Sequence, residues 1–239
     1  MSSPPLLEVR ELAWTPPGED EPLWEGASFG LDPGELAVLQ GPSGAGKSTL
    51  LRTAVFLEKP SAGQVFWRGE AVKAERVRRF RHAVMYVQQS PVGIAMRVEE
   101  NLAFPREMSR ALGDGVGMDE AEQRALLARF GLEDLDVSRR FEELSVGQQQ
   151  RVALVRCLSV RPEVLLLDEP TASLDEESAR AVEEYIREYV EAGGAGGAEQ
   201  TKGTEGTSRA ALWITHSGDQ RDRLGGRVLE LSEIARLRS

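Results

Sequence analysis

The 239-residue chain predicts an α/β fold: an α/β body interrupted by a helical insert of about 60 residues. Three observations carry this. The apolar runs ELAVLQ (35–40) and VLLL (164–167) stop at Gly41 and Asp168, as buried parallel strands do where they leave a core. Strand and helix patterns alternate up to about residue 90 and again from about residue 161. Between them, residues 91–160 carry helical patterns and no convincing strand.

In chain order, residues 6–14 (LLEVRELAW) alternate and predict a strand, and TPPGEDEP (15–22) is a turn with an acidic tip. A strand follows at Ala27–Leu31, Asp32-Pro33-Gly34 turns the chain, and 35–40 is the next strand. After GPSGAGKST the run TLLRTAVFL predicts a helix. Strands are expected at Gln64–Trp67 and Ala83–Val87, with a basic helix between them that carries Arg76, Arg78, Arg79 and Arg81. His82, in that helix, is expected to be solvated. Helices are expected at Arg97–Ala103, Asp119–Phe130 and Val146–Ser159. Then come a strand at Val164–Leu167, a helix at Glu176–Val190, and strands at Ala210–Thr215 and Arg227–Leu231. Residues 192–208 (AGGAGGAEQTKGTEGTS) hold six glycines and nothing that buries, which predicts a flexible linker. The whole chain, 1–239, reads as one domain: about 1–90 and 161–239 form the core with its β region, and about 91–160 the helical subdomain.

The formal charge is 29 − 39 = −10, and the summed field repels phosphate. Binding to nucleic acid or to an anionic lipid surface by charge alone is excluded, so no nucleic-acid partner is expected. Any phosphate ligand must be held by local geometry. The single cysteine, Cys157, has no internal disulfide partner and lies in VALVRCLSV, which predicts a buried core thiol. MSSPPLLEVRE is too polar for a secretory leader, and no stretch approaches the ~20 apolar residues of a membrane span. The expected location is cytoplasmic, with any membrane role supplied by a partner.

Gly41-Pro42-Ser43-Gly44-Ala45-Gly46-Lys47-Ser48 fits G-x-x-x-x-G-K-[ST] between an apolar strand and a helix, the context that a phosphate-binding loop requires. The glycines let successive backbone N–H groups wrap an anion, and the helix N-terminus adds its positive dipole end. Lys47 is expected to reach the β- and γ-phosphates, Ser48 to ligate Mg²⁺, and Thr49 to add a further phosphate donor. Val164-Leu165-Leu166-Leu167-Asp168-Glu169 is a buried strand that ends in two carboxylates, and parallel-strand ends open onto ligand crevices. Asp168 is assigned to the metal, and Glu169 to the base that deprotonates an attacking water.

These two motifs occur in many nucleotidases, and others narrow the choice. Leu144-Ser145-Val146-Gly147-Gln148 resembles the L-S-G-G-Q signature of ABC-type ATPases. A Gln follows a strand in YVQQSP, Ser173-Leu174-Asp175 follows Glu169, and Ile214-Thr215-His216 ends a late strand, in the order that family shows. The resemblance covers about residues 6–232 and implies the ABC-ATPase version of the P-loop NTPase fold, a mixed sheet core with an antiparallel β region and an inserted α-helical subdomain. It implies that Trp14 stacks on adenine and that Gln89, chosen over Gln88 from the pattern Tyr86-Val87-x-Gln-x-Pro, touches Mg²⁺ or the attacking water. It implies that Ser145 and Gly147 bind the γ-phosphate held by a second subunit, with Gln148 in the same signature. Asp175 then lies at the dimer seam, and His216 holds the γ-phosphate.

The resemblance further implies ATP and Mg²⁺, a homodimer that sandwiches ATP, and a separate integral-membrane permease on whose inner face the subunit sits. YVQQSPVGIAMRVEENLAFP and ALWITH resemble the FetA/YbbL-type subgroup, which is implicated in metal (iron) efflux. A soluble ATPase of the same type that serves an assembly scaffold of the iron–sulfur kind, or a weakly hydrolysing partner subunit, are the alternatives. One departure stands out: Val146 replaces the first signature glycine, and the expectation is that the site tolerates it.

Overall fold

The computed structural model describes residues 4–113, 117–193 and 208–238. The linker expected at 192–208 thus lies, from 194 through 207, outside the described residues. The chain divides into two compact units: the first holds the chain up to Tyr86, Glu163–Asp168 and the part from Arg187 on; the second holds Val87–Pro162 and Glu169–Ile186.

The first unit contains both sheets. One is built around β1 (Leu7–Trp14), flanked by antiparallel β2 (Trp24–Leu31) and β4 (Ala62–Trp67), with the two-residue strands β5 (Glu70–Ala71) and β10 (Arg236–Leu237) at its edges. Leu7 faces Leu31 on one side and Trp67 on the other, so the alternation read in the sequence becomes one buried face. The other sheet has the order β6 (Val84–Val87), β7 (Val164–Asp168), β8 (Ala210–Ile214), β3 (Leu36–Gln40), β9 (Arg227–Glu230). The pairs β7/β8, β8/β3 and β3/β9 are parallel. Every residue of β7 and β8 is buried, which explains why these strands read as unbroken apolar runs.

Helix α1 (Lys47–Ala54) begins two residues earlier than the run that predicts it, because Gly46 is its left-handed N-cap. Helix α2 (Val77–Ala83) sends Phe80 into the core, with ring contacts to Phe56 at 5.9 Å and Trp67 at 6.3 Å. Burying one such large apolar side chain contributes about 1.5–3 kcal/mol. His82 lies on this buried side and is 9% exposed, which corrects the expectation that it is solvated. The local charge pattern shows four arginines, but tertiary cover, not local charge, sets the burial of that turn.

The second unit is helical: α3 (Val98–Leu112), α4 (Glu120–Arg129), α5 (Val146–Leu158) and most of α6 (Glu176–Glu191). Reciprocal caps open α4 (Asp119 with Glu122) and α5 (Ser145 with Gln148), whereas at α3 the Glu100 carboxylate accepts from the Arg97 N–H at 2.8 Å. Helix α3 runs past Ala103 and through Pro105 to the left-handed cap Gly113, and so ends nine residues later than the sequence pattern gives. Proline removes one helical N–H. Burial of Leu102, Pro105 and Ser109, with Ser109 Oγ donating to the Pro105 carbonyl at 3.0 Å, holds the helix across that break.

The first unit is completed by two further short helices, α7 (Gly218–Leu224) and α8 (Leu231–Ile234), neither of which the sequence pattern gives. No helix among the described residues is long and apolar enough to cross a membrane. Cys157 is buried, as read from the sequence.

Candidate nucleotide site

In the first unit, the register pairs Asp168 with Ile214 and Leu39 with Ile214, so β3, β7 and β8 end level with one another. The Gly41–Gly46 loop and the Thr215-His216 segment therefore leave from one edge of the parallel sheet. Gly41, Gly44 and Gly46 have φ of 149°, 77° and 92°, a region that side-chain-bearing residues rarely enter. Gly46 is also sterically required. A Cβ there would lie 2.7 Å from Leu23 Cδ2 and 2.8 Å from the indole nitrogen of Trp24.

Lys47 is 5% exposed, and its ammonium donates to the carbonyls of Gly41 at 2.8 Å and Pro42 at 2.9 Å. These bonds tie a buried positive charge to the start of the loop, which Ser43 and Ala45 continue. Ser48 Oγ donates to Asp168 Oδ1 at 2.9 Å, and the Tyr86 hydroxyl donates to Asp168 Oδ2 at 2.8 Å. Asp168 is 3% exposed, so both oxygens of a buried carboxylate are satisfied. Burial, and after it the bond to Asp168, pushes the Tyr86 phenol well above its ordinary pKa; Arg52 acts weakly the other way. Thr49 is buried, and its hydroxyl accepts from Arg52 at 3.1 Å.

Two further sequence-derived residues of this unit are Trp14 and His216. Trp14 ends β1 opposite Trp24 and packs, half-buried, against the core. His216 is exposed, two residues beyond β8, where the Ser217 N–H donates to Thr215 Oγ1 at 3.0 Å and turns the chain into α7.

In the second unit, Glu169 has φ 46°. A non-glycine residue held there costs of order 1–2 kcal/mol, and such strain collects at functional positions. Its Oε2 accepts from Gln89 Nε2 at 3.1 Å, whereas the Gln88 amide donates to the Ser90 carbonyl at 2.6 Å. At the start of α5, Gln148 N donates to Ser145 Oγ at 3.3 Å and Ser145 N donates to Gln148 Oε1 at 3.1 Å. The Gln148 side chain is thus engaged as a cap. A Cβ on Gly147 would lie 3.1 Å from the Ser173 carbonyl, so a close backbone approach holds glycine at this position. Val146, by contrast, is 57% exposed. Asp175 accepts from the backbone N–H of Ser178 at 2.8 Å and from its hydroxyl at 2.9 Å, and these bonds, in that order, hold its carboxyl below the usual range.

Sequence reasoning passed over Tyr86 as a site residue. Its only signal was a lone hydroxyl in the strand VMYV, three positions before Gln89.

The first unit supplies a cradle of backbone donors with a buried ammonium, and a hydroxyl and carboxylate oxygen 2.9 Å apart. Two hard oxygen donors on one spot suit Mg²⁺, which takes one or two carboxylates plus substrate phosphates rather than a full protein cage.

The ABC transporter family model matches residues 24–172, more than half of the chain. The probable iron export ATP-binding protein FetA of Escherichia coli K12 is 34% identical over 217 residues, 90% of this chain and 87% of that protein. The lipoprotein-releasing system ATP-binding protein LolD of Maricaulis maris is 37% identical over 238 residues, covering 95% of this chain and 93% of that one. Among solved structures, an ATP-binding subunit of an ABC transporter superposes with a TM-score of 0.76 at 25% identity, over 95% of this chain and 85% of that one. An ATP-binding cassette dimer carrying ADP and Pi shares the fold with a TM-score of 0.75 at 24% identity, over 94% of each chain. The phosphate loop, the two terminal carboxylates and these matches lead to one conclusion: the chain belongs to the ABC transporter family, as an ATP-binding and ATP-hydrolysing subunit.

Proposed function

We propose that two copies of this chain sandwich two ATP molecules and drive a separate integral-membrane permease, on whose inner, cytoplasmic face they sit. The observation that carries the catalytic half is the strained Glu169, held by Gln89 at 3.1 Å. Glu169 takes the proton of the attacking water, and Gln89 keeps that carboxylate aimed.

The phosphates bind the N–H groups of the Gly41–Thr49 loop and the Lys47 ammonium. Ser48 and Asp168 would hold Mg²⁺, which when bound neutralises charge on the β- and γ-phosphates. His216 contacts the γ-phosphate and Trp14 stacks on the adenine. Ser145 and Gly147 bind the γ-phosphate held by the other copy, Gln148 fixes the Ser145 end of α5, and Asp175 lies at the seam.

A partner surface is supported within the second unit. Val92, Ile94 and Met96 are exposed apolar residues beside a groove of about 530 Å³ lined by Pro91–Met96, Phe141 and Gln149. The loop that carries them is fixed from behind: Asn101 bonds the Ile94 N–H and the Ala95 carbonyl, and Arg156 bonds the Val92 carbonyl. Metal export, iron included, is the cargo reading favoured by similarity to a protein named for iron export.

The decisive experiment is gel filtration of Glu169→Gln with Mg-ATP. A dimer that needs ATP is expected; a monomer at all ATP concentrations would overturn the sandwich. Co-purification with a co-expressed candidate permease, and metal accumulation in cells that lack this chain, test the permease and cargo.

A further inference from the structure

Asp168 has a second donor besides Ser48. Tyr86, on β6, lies beside it on the neighbouring strand β7, and its hydroxyl donates to Oδ2 at 2.8 Å while Ser48 donates to Oδ1 at 2.9 Å. The carboxylate torsion of an Asp is broad and roughly two-fold, so one hydrogen bond to one oxygen fixes it only weakly. Donors on both oxygens fix it. The phenol brings this without adding charge, and its ring is half-buried, so its own position is set by packing.

We propose that Tyr86 is a positioning residue for the divalent metal: its O–H holds Asp168 so that Oδ1 stays turned toward the Ser48 hydroxyl. The proposal rests on the nucleotide-site reading above. Carboxylates that ligate metals are themselves held by outer hydrogen bonds, and loss of such a partner costs about 10–100-fold in metal affinity or activity.

The test uses Mn²⁺ as the metal probe with ADP. In Tyr86→Phe, which keeps the ring and removes the donor, Mn²⁺ affinity measured by electron paramagnetic resonance should fall about ten-fold. Affinity for trinitrophenyl-ADP in EDTA should stay unchanged, with the variant folded by circular dichroism. Mn²⁺ affinity within two-fold of wild type overturns the proposal. So does an equal loss of nucleotide affinity in EDTA, the mark of a merely structural role.

A second measurement needs no variant. The chain has three tyrosines. In wild-type protein labelled with ¹³C-tyrosine, Mn²⁺-ADP should broaden one tyrosine ring signal beyond detection, because the metal sits beside it. Three signals that stay sharp overturn the proposal while Mn²⁺-dependent ADP binding leaves the parent reading standing. Wild-type protein in which Mn²⁺ does not change ADP affinity overturns both.

Discussion

The side-chain amide of Gln89 donates to Oε2 of Glu169 at 3.1 Å, joining residues 80 positions apart. The neighbouring Gln88 is turned away to the Ser90 carbonyl. Hydrogen bonds to charged groups contribute about 1.5–3 kcal/mol, so loss of the Gln89 amide should cost about ten-fold or more in kcat. Gln89→Ala and Gln88→Ala, compared by steady-state phosphate release, should differ in that way, with Gln88→Ala close to wild type.

Glu169→Gln keeps the side-chain shape and removes the base. Removal of a general base costs about 10²–10⁴-fold in rate. ATP affinity, read by fluorescent-nucleotide displacement, should change little. A variant with more than a tenth of wild-type turnover would assign the base elsewhere.

Gly46→Ala places a methyl 2.7–2.8 Å from Leu23 and Trp24 at φ 92°. Overpacking costs about 1–3 kcal/mol, and a side chain in the left-handed region adds about 1–2 kcal/mol. A lower Tm and loss of ATP binding together are expected. ATP binding at wild-type affinity would show that the loop adapts.

The two middle signature positions should respond oppositely. Gly147→Ala sets a Cβ 3.1 Å from the Ser173 carbonyl and should destabilise by about 1 kcal/mol or more. Val146→Gly removes an exposed side chain and should cost only a few tenths of a kcal/mol through helix propensity. Its ATPase rate should stay within ten-fold of wild type. A rise of two orders of magnitude would mean that Val146 throttles the site.

Asp175 titrates below its ordinary value of 3.8 because Ser178 bonds its charged form. A depressed folded pKa gives stability that is present above the unfolded value and is lost as pH falls through the folded one. Asp175→Asn should therefore lower Tm at neutral pH, and the gap from wild type should narrow as the pH falls below 3.8. A gap that stays constant down to pH 2 would assign the effect to shape rather than charge.

Much of the molecule was legible because its signals are local. A buried parallel strand on both faces must be apolar, so β3, β7 and β8 announce themselves, and a phosphate loop needs glycines at fixed offsets. Caps at Ser145 and Asp119 mark helix starts within three residues. The short elements β5, β10, α7 and α8 were not legible, because two to seven residues carry no period. The end of α3 was not legible either: it runs beyond Ala103 through Pro105, whose local cost is outweighed by burial of its neighbours.

The sequence by itself determined the α/β class, the Gly41–Thr49 loop, the Asp168-Glu169 pair and the family. The sequence pattern also chose Gln89 over Gln88, but only the tertiary structure decided that Gln89 bonds Glu169, that His82 is buried, and that Tyr86 completes the bonding of Asp168 from 82 residues away. The physical reason is the range of the interactions. Periodicity and turn chemistry act between near neighbours, whereas a hydrogen bond between two strands or loops depends on which chain segments the sheet brings side by side.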